Sequence, residues 1–289
     1  MTLSKAKQNT LDGLVSDLSQ VAGVQALVLG GSYAAGTATA SSDLDIGIYY
    51  SEKDPFSIAE VKAIAEKYSV SENLTVTDFY GWGPWVNGGA WIETASGKVD
   101  FIYRNLEQLS SVIEKAKKGE WQNDFEQQPP HGFTSVIYLA ETASCIILFD
   151  PENQVARLKE EVKVYPAALK ETIIRQSLWS AEFAAWHADY FMEKNDIYSL
   201  MGCLTRGTKN FVNALFAINE IYPMGDKRAL DILEDAPIKP ANLKSRIENI
   251  VCAEKSTIGE NIVLFKKLCA EIISLTNGAY QPMFKLKEH

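Results

Sequence analysis

The sequence predicts an α+β protein, with strands and helices over residues 1–150 and a helical domain over residues 151–289. Three observations carry this. Val24 to Leu29 (VQALVL) and Ile46 to Tyr50 (IGIYY) are short apolar runs that read as buried strands. Trp91 to Thr94 and Val99 to Tyr103 read as paired strands around a turn at Ser96-Gly97. Beyond Asp150-Pro151 the β-like alternation stops and long helical stretches follow.

Taken in order, Leu11, Leu14, Val15, Leu18 and Val21 recur at helical spacing, so the chain opens with an amphipathic helix. The two strand-like runs follow. Ile58 to Tyr68 reads as a helix opened by Pro55 and Ser57. Leu74 to Tyr80 alternates like a strand, and the glycines and proline from Gly81 to Gly89 break regular structure. Leu106 to Lys118 and Thr134 to Leu148 read as helices. The later helices are Val155 to Val164, Ala167 to Lys194, Ile197 to Ile221, Lys227 to Leu233 and Asn242 to Thr276, punctuated by Pro166, Pro223, Pro237 and Pro240.

The bulk numbers exclude several classes. No apolar run reaches the roughly 18–20 residues that cross a bilayer. The N-terminus lacks the apolar core of a signal peptide. Cys145, Cys203, Cys252 and Cys269 form no CxxC pair, so neither a zinc site nor a disulfide framework is indicated, and reduced cysteines in a cytoplasmic protein are expected. Histidine is confined to His131, His187 and His289. The net charge is −9, with 28 basic residues against 37 acidic ones. Lys115, Lys117 and Lys118 make the one dense basic group, which reads as a solvated helix end. A long nucleic acid is therefore not the expected partner.

The motif that carries chemistry lies between the first two strands: Gly31-Ser32, then Gly36, then Asp43-Leu44-Asp45. Side chains two apart on a strand share a face and stand about 7 Å apart along it. Asp43 and Asp45 would project together and repel unless a cation sits between them. Hard oxygen ligands of this kind suit Mg²⁺, which is held by one or two carboxylates plus substrate phosphates. The glycine-serine turn leaves backbone N–H groups free to approach a phosphate. A third acid, Asp100, sits inside the apolar run Val99-Asp100-Phe101-Ile102-Tyr103, where a charge needs a partner or a metal.

This constellation resembles the DNA polymerase β-type nucleotidyltransferases. The resemblance implies a mixed sheet, a Gly31-Ser32 turn holding the triphosphate, and two Mg²⁺ ions on Asp43, Asp45 and Asp100. It also implies a nucleoside triphosphate donor, with ATP expected. Softer patterns, namely the WGPWVNGGAW stretch, Pro130-His131-Gly132-Phe133, Leu148-Phe149-Asp150-Pro151, Tyr165-Pro166 and Leu215 to Pro223, are similar to a bacterial branch that includes lincosamide and aminoglycoside nucleotidyltransferases. The similarity spans about residues 20 to 235. The implied activity is transfer of a nucleoside monophosphate to a hydroxyl of a small molecule, an antibiotic among the candidates, by a monomer or homodimer. Two alternatives stay open: nucleotidylation of a protein or RNA end, and an antitoxin-like nucleotide-binding protein without turnover.

Further residues have two readings each. Glu141, an acid on an otherwise apolar helix, is a candidate general base or a partly exposed or Lys-paired glutamate; Glu93 is a second candidate base. Arg206, Lys209, Asn210 and Asn213 share one helix face opposite Leu204, Phe211, Leu215 and Ile218. That polar face either meets water or brings Arg206 and Lys209 to the triphosphate in an inter-domain cleft. Trp82, Trp85 and Trp91 either fill a core or stack on a flat ligand. His131 shapes a turn or touches the acceptor.

Overall fold

The computed structural model describes residues 3–128, 130–225, 227–252 and 254–286. His289 lies outside the described residues. The chain divides into two compact units that alternate in sequence: Met1–Glu114 with Ile137–Val164, and Lys115–Val136 with Tyr165–His289. The boundary expected at residue 150 thus lies within the second segment of the first unit.

The first unit begins with α1 (Lys5–Leu18), capped by Ser4. It continues through β1 (Val24–Leu29), the short α2 (Gly31–Ala34), β2 (Leu44–Tyr50), α3 (Ile58–Tyr68), β3 (Thr75–Val76), β4 (Gly89–Thr94), β5 (Gly97–Asn105) and α4 (Leu106–Lys117). The strands form a mixed sheet in the order β3-β4-β5-β2-β1-β8, with β8 over Ile146–Phe149. β2 and β5 run parallel, and the other neighbours run antiparallel. One face of the sheet presents Leu27, Leu29, Leu44, Ile46, Ile48, Phe101 and Tyr103 to a core closed by Leu11, Leu14 and Leu18 of α1 and Val61 and Ala65 of α3. Alternation along each strand sends the residues between these to the opposite face.

In the second unit β6 (Asn123–Asp124) pairs with β7 (Phe133–Thr134). α5 (Val136–Ser144) joins β7 to β8, and α6 (Gln154–Glu161) completes the first unit. The second unit resumes with α7 (Ala167–Glu193), α8 (Ile197–Ile218), α9 (Ala229–Glu234), α10 (Leu243–Val251) and α11 (Ile258–Ser274). Leu204, Phe211, Leu215 and Ile218 are buried, as the helical pattern requires. Gly207 of α8 leaves room for the Phe265 ring, which a β-carbon there would overlap. Asp189 and Lys266 make a buried ion pair at 2.6 Å, where each charge satisfies the other. Among the described residues no helix is long and apolar enough to cross a membrane.

Three expected elements differ. The strand over 74–80 shrinks to Thr75–Val76, because the chain turns from Asp78 and Tyr80 takes a left-handed φ of 61°. The helix expected over 134–148 stops at Ser144, and Ile146–Phe149 instead pairs with β1 as an edge strand. A short apolar run fits either structure by periodicity, and an open sheet edge decides for the strand. The helix expected over 242–276 is two helices, with a turn in which Thr257 N–H bonds to the Glu254 carbonyl at 3.0 Å.

Candidate active site

The acids meet through the sheet register. Asp45 on β2 is the Cα partner of Asp100 on β5, and Asp100 is in turn the partner of Trp91 on β4. Thr75 on β3 extends the same row. Strand neighbours in such a row point to the same face, about 4.8 Å apart from strand to strand. The buried alternates decide which face. Leu44 and Ile46 flank Asp45, Val99 and Phe101 flank Asp100, and Ala90 and Ile92 flank Trp91, all in the core. Both aspartates are half-buried.

The turn after β1 closes onto this row. Gly30 N–H donates to the Asp45 carbonyl at 2.8 Å. Gly31 has a φ of 57°, and a β-carbon there would overlap the Asp45 carboxylate. Glycine is therefore required twice, by the left-handed backbone and by the close approach. Thr37 N–H returns to the Ser32 carbonyl at 2.9 Å. The half-buried Ser32 hydroxyl makes no hydrogen bond among the described residues. Asp43 lies one residue before β2 and is half-buried.

Lys7 holds the loop between the turn and Asp43. Its side chain comes from α1 and is 7% exposed. The ammonium donates to the Ala40 carbonyl at 3.1 Å, the Ser42 carbonyl at 2.6 Å and the Tyr33 hydroxyl at 3.2 Å. It also lies 5.5 Å from the Tyr33 ring centroid. The sequence expectations omit Lys7. Its signal was present, since it falls on the apolar stripe of α1, four residues before Leu11 and seven before Leu14.

Glu141 is engaged elsewhere on this unit. Arg104, 5% exposed, grips both carboxylate oxygens, with Nε at 2.9 Å and Nη2 at 2.8 and 2.9 Å. Burial works most strongly against the Arg104 charge, but the Glu141 carboxylate together with Tyr138 and Tyr49 outweighs it and holds the guanidinium above its usual range. Arg104 lies four residues along β5 from Asp100, a span of about 13 Å. Glu93 is exposed and 3.5 Å from Lys98. Trp85 packs edge-on against Tyr138 at 5.8 Å, whereas Trp82 stacks on Trp91 at 4.8 Å with 22° between planes.

Arg206 and Lys209 belong to the second unit. Arg206 is exposed and donates to the Ser180 hydroxyl at 3.1 Å. Lys209 donates to the His131 carbonyl and lies 4.6 Å from the Phe125 ring centroid. A pocket of about 300 Å³ there is lined by His131, Lys209, Arg228, Asp231 and Lys244 among others. His131 sits in a turn closed by Gly132 N–H to the Gln128 carbonyl at 2.8 Å.

Among the described residues no group of three or more His, Cys, Asp or Glu is placed to hold a metal ion, so Asp43, Asp45 and Asp100 do not form such a group. The sheet provides a carboxylate pair instead, Asp45 and Asp100, with Asp43 beside it in sequence. That donor set fits Mg²⁺, which completes its shell with water and substrate phosphate oxygens rather than protein ligands alone.

Residues 11–84 match the nucleotidyltransferase domain model. The matched stretch, about a quarter of the chain, is similar to that domain and takes in Gly31, Ser32, Asp43 and Asp45. Asp100 lies beyond the matched stretch, so its place beside Asp45 comes from the sheet register. Residues 134–227 match a domain of unknown function (DUF4037). A nucleotidyltransferase-like protein from Exiguobacterium sibiricum 255-15 aligns over 95% of this chain and 77% of its own, with 9% identity and a TM-score of 0.45. No curated protein matches the sequence.

Proposed function

We propose that this protein transfers a nucleoside monophosphate from a nucleoside triphosphate, ATP in the first instance, to a hydroxyl of a small molecule. The observation that carries the reading is the Asp45–Asp100 register pair standing against the Gly31-Ser32 turn of the nucleotidyltransferase domain. The acceptor oxygen forms a bond to the α-phosphorus, and the bond from that phosphorus to the bridging oxygen of the β-phosphate breaks. Pyrophosphate leaves with the electron pair, and the hydroxyl proton passes to Asp100 or to solvent.

In this reading Asp43, Asp45 and Asp100 hold the Mg²⁺ ions, and Gly31 and Ser32 receive the β- and γ-phosphates. Bound Mg²⁺ would neutralise charge on the attacking and leaving oxygens. Asp100 orients the acceptor hydroxyl, being farther along the row from the phosphate turn than Asp45. Glu141 is assigned to the Arg104 ion pair rather than to proton removal, because both its oxygens are engaged. A Glu141→Gln enzyme keeps its pH–rate profile under this assignment; loss of the acidic limb would return Glu141 to the general-base role.

The net charge of −9 supports a small acceptor over an RNA end. The test is incubation with each labelled nucleoside triphosphate, Mg²⁺ and a pool of hydroxyl compounds that includes an aminoglycoside and a lincosamide. A Mg²⁺-dependent product heavier by one nucleoside monophosphate, with matching pyrophosphate, supports the reading. Absence of both from every donor and acceptor overturns it in favour of a nucleotide-binding protein without turnover.

A further inference from the structure

The row that pairs Asp45 with Asp100 does not end at the acids. It runs from the Gly31 turn through Asp45 and Asp100 to Trp91, one residue per strand on one sheet face. The order is directional. If the transferred phosphate enters at Gly31-Ser32, the acceptor oxygen must come from the other side of Asp100, which is the side that Trp91 occupies.

Trp91 is unusual for a strand residue of this size, being 55% exposed although its strand neighbours Ala90 and Ile92 are buried. Its indole is not loose. It stacks on Trp82 at 4.8 Å and 22°. Trp82 in turn covers Gly89, where a β-carbon would come within 2.7 Å of the Trp82 ring and overlap the Phe101 carbonyl. The glycine leaves room for the Trp82 ring against β4. Two large aromatic rings are thus fixed side by side, with apolar surface left to solvent one strand from a carboxylate pair.

We propose that Trp91, backed by Trp82, is the acceptor platform, and that the acceptor is a hydroxyl compound built on a flat aromatic ring. This rests on the transfer reading above for the position of the phosphate. Trp91 leaves the sheet one strand spacing, about 4.8 Å, from Asp100, so a ring stacked on it carries a hydroxyl, or one on an attached sugar, toward that carboxylate. A ringless polyol has no face to place on the indole. Base–aromatic stacking of this kind changes affinity by about 5- to 150-fold per ring.

The experiment is saturation-transfer NMR on the full chain, with uridine and tyramine as flat-ring probes and sorbitol as the ringless polyol. Trp91→Ala is compared with Trp91→Leu, which keeps apolar bulk in the strand, after both are shown to melt like the parent. The ring protons of uridine or tyramine receive saturation from the parent protein, sorbitol receives none, and both variants weaken the ring probe by at least fivefold. Asp100→Asn keeps ring binding. Equal signals from sorbitol and the ring probes, no signal from either ring probe, or unchanged ring binding in both Trp91 variants overturns the platform. The two readings fail separately. Ring binding lost with Trp91, in a protein that turns over no acceptor, sinks the transfer reading and leaves the platform. Turnover of sorbitol unaffected by Trp91→Leu does the reverse.

Discussion

Asp45 and Asp100 are register partners in the parallel pairing of β2 with β5, so two like charges leave one sheet face on neighbouring strands. Directly opposed like charges destabilise a sheet. A cation held between them would offset that repulsion.

Replacing one acid separates repulsion from metal binding. On the proposed reading, Asp100→Asn raises the metal-free unfolding free energy by relieving the repulsion and removes the stabilisation that bound Mg²⁺ would give the parent. Pyrophosphate release falls roughly 100-fold or more, the scale for loss of one preorganised charge-stabilising group. Calorimetric melts with and without Mg²⁺ measure the first effect. An Mg²⁺ shift in Asp100→Asn equal to the parent's would show that this carboxylate holds no metal.

Gly31 and Gly36 make a matched comparison. Both have positive φ, 57° and 72°. A β-carbon at Gly31 overlaps the Asp45 carboxylate, whereas one at Gly36 meets nothing within 4 Å. Gly36→Ala therefore carries the backbone cost alone, about 1 kcal/mol, and retains turnover. Gly31→Ala costs about 1–3 kcal/mol and also displaces Asp45, so turnover collapses. Denaturant titration beside a pyrophosphate assay tests both; equal activity in the two variants would contradict the close approach.

Lys7 ties the loop that leads into Asp43. Lys7→Met keeps the apolar stem and removes the hydrogen bonds to Tyr33, Ala40 and Ser42. The expected loss is about 1.5–3 kcal/mol, the scale for hydrogen bonds to a charged group. Amide exchange over residues 36–43 should quicken more than exchange in α3. Uniform quickening across the first unit would mean that Lys7 stabilises the fold generally rather than this loop.

An acid and an alkaline transition meet at one contact. Asp17 accepts from Lys67 at 2.6 Å and from the Tyr68 hydroxyl at 2.9 Å. The Lys67 hydrogen bond is the main cause holding the Asp17 carboxyl below its usual range; burial opposes it and Tyr68 adds to it. A depressed folded value means stability that is present above about pH 4 and lost as pH falls through the folded value. Tyr68 is pushed up to about 12, first by burial and then by its bond to Asp17. A raised folded value means stability that is present below about pH 10 and lost as pH rises through about 12. Melting curves of Tyr68→Phe should fall less steeply than the parent's between pH 10 and pH 12. Identical slopes would remove Tyr68 from the alkaline transition.

Much of the first unit was legible because its signals are local. Ile58–Tyr68 matches its expected helix end to end, since Ser57 caps it and the apolar spacing is uninterrupted. The strand Ile146–Phe149 was not legible. Ile146, Ile147 and Leu148 suit a buried helix equally well, and the pairing with Leu27 and Leu29 that settles the matter comes from more than a hundred residues away. Glu141 shows the same limit. Its apolar neighbours marked it as unusual, but only the fold brings Arg104 against it.

By itself the sequence determined the alternation of core and outward residues and the glycine turn, because side-chain period and backbone freedom are properties of neighbouring residues. It marked Asp45 and Asp100 as acids set among apolar strand residues, but it left Trp91 open between the core and a ligand face. Only the tertiary structure decided that the three share one row. Register between β2, β5 and β4 is set by long-range pairing, and a slip of one residue would have turned any of them to the other side.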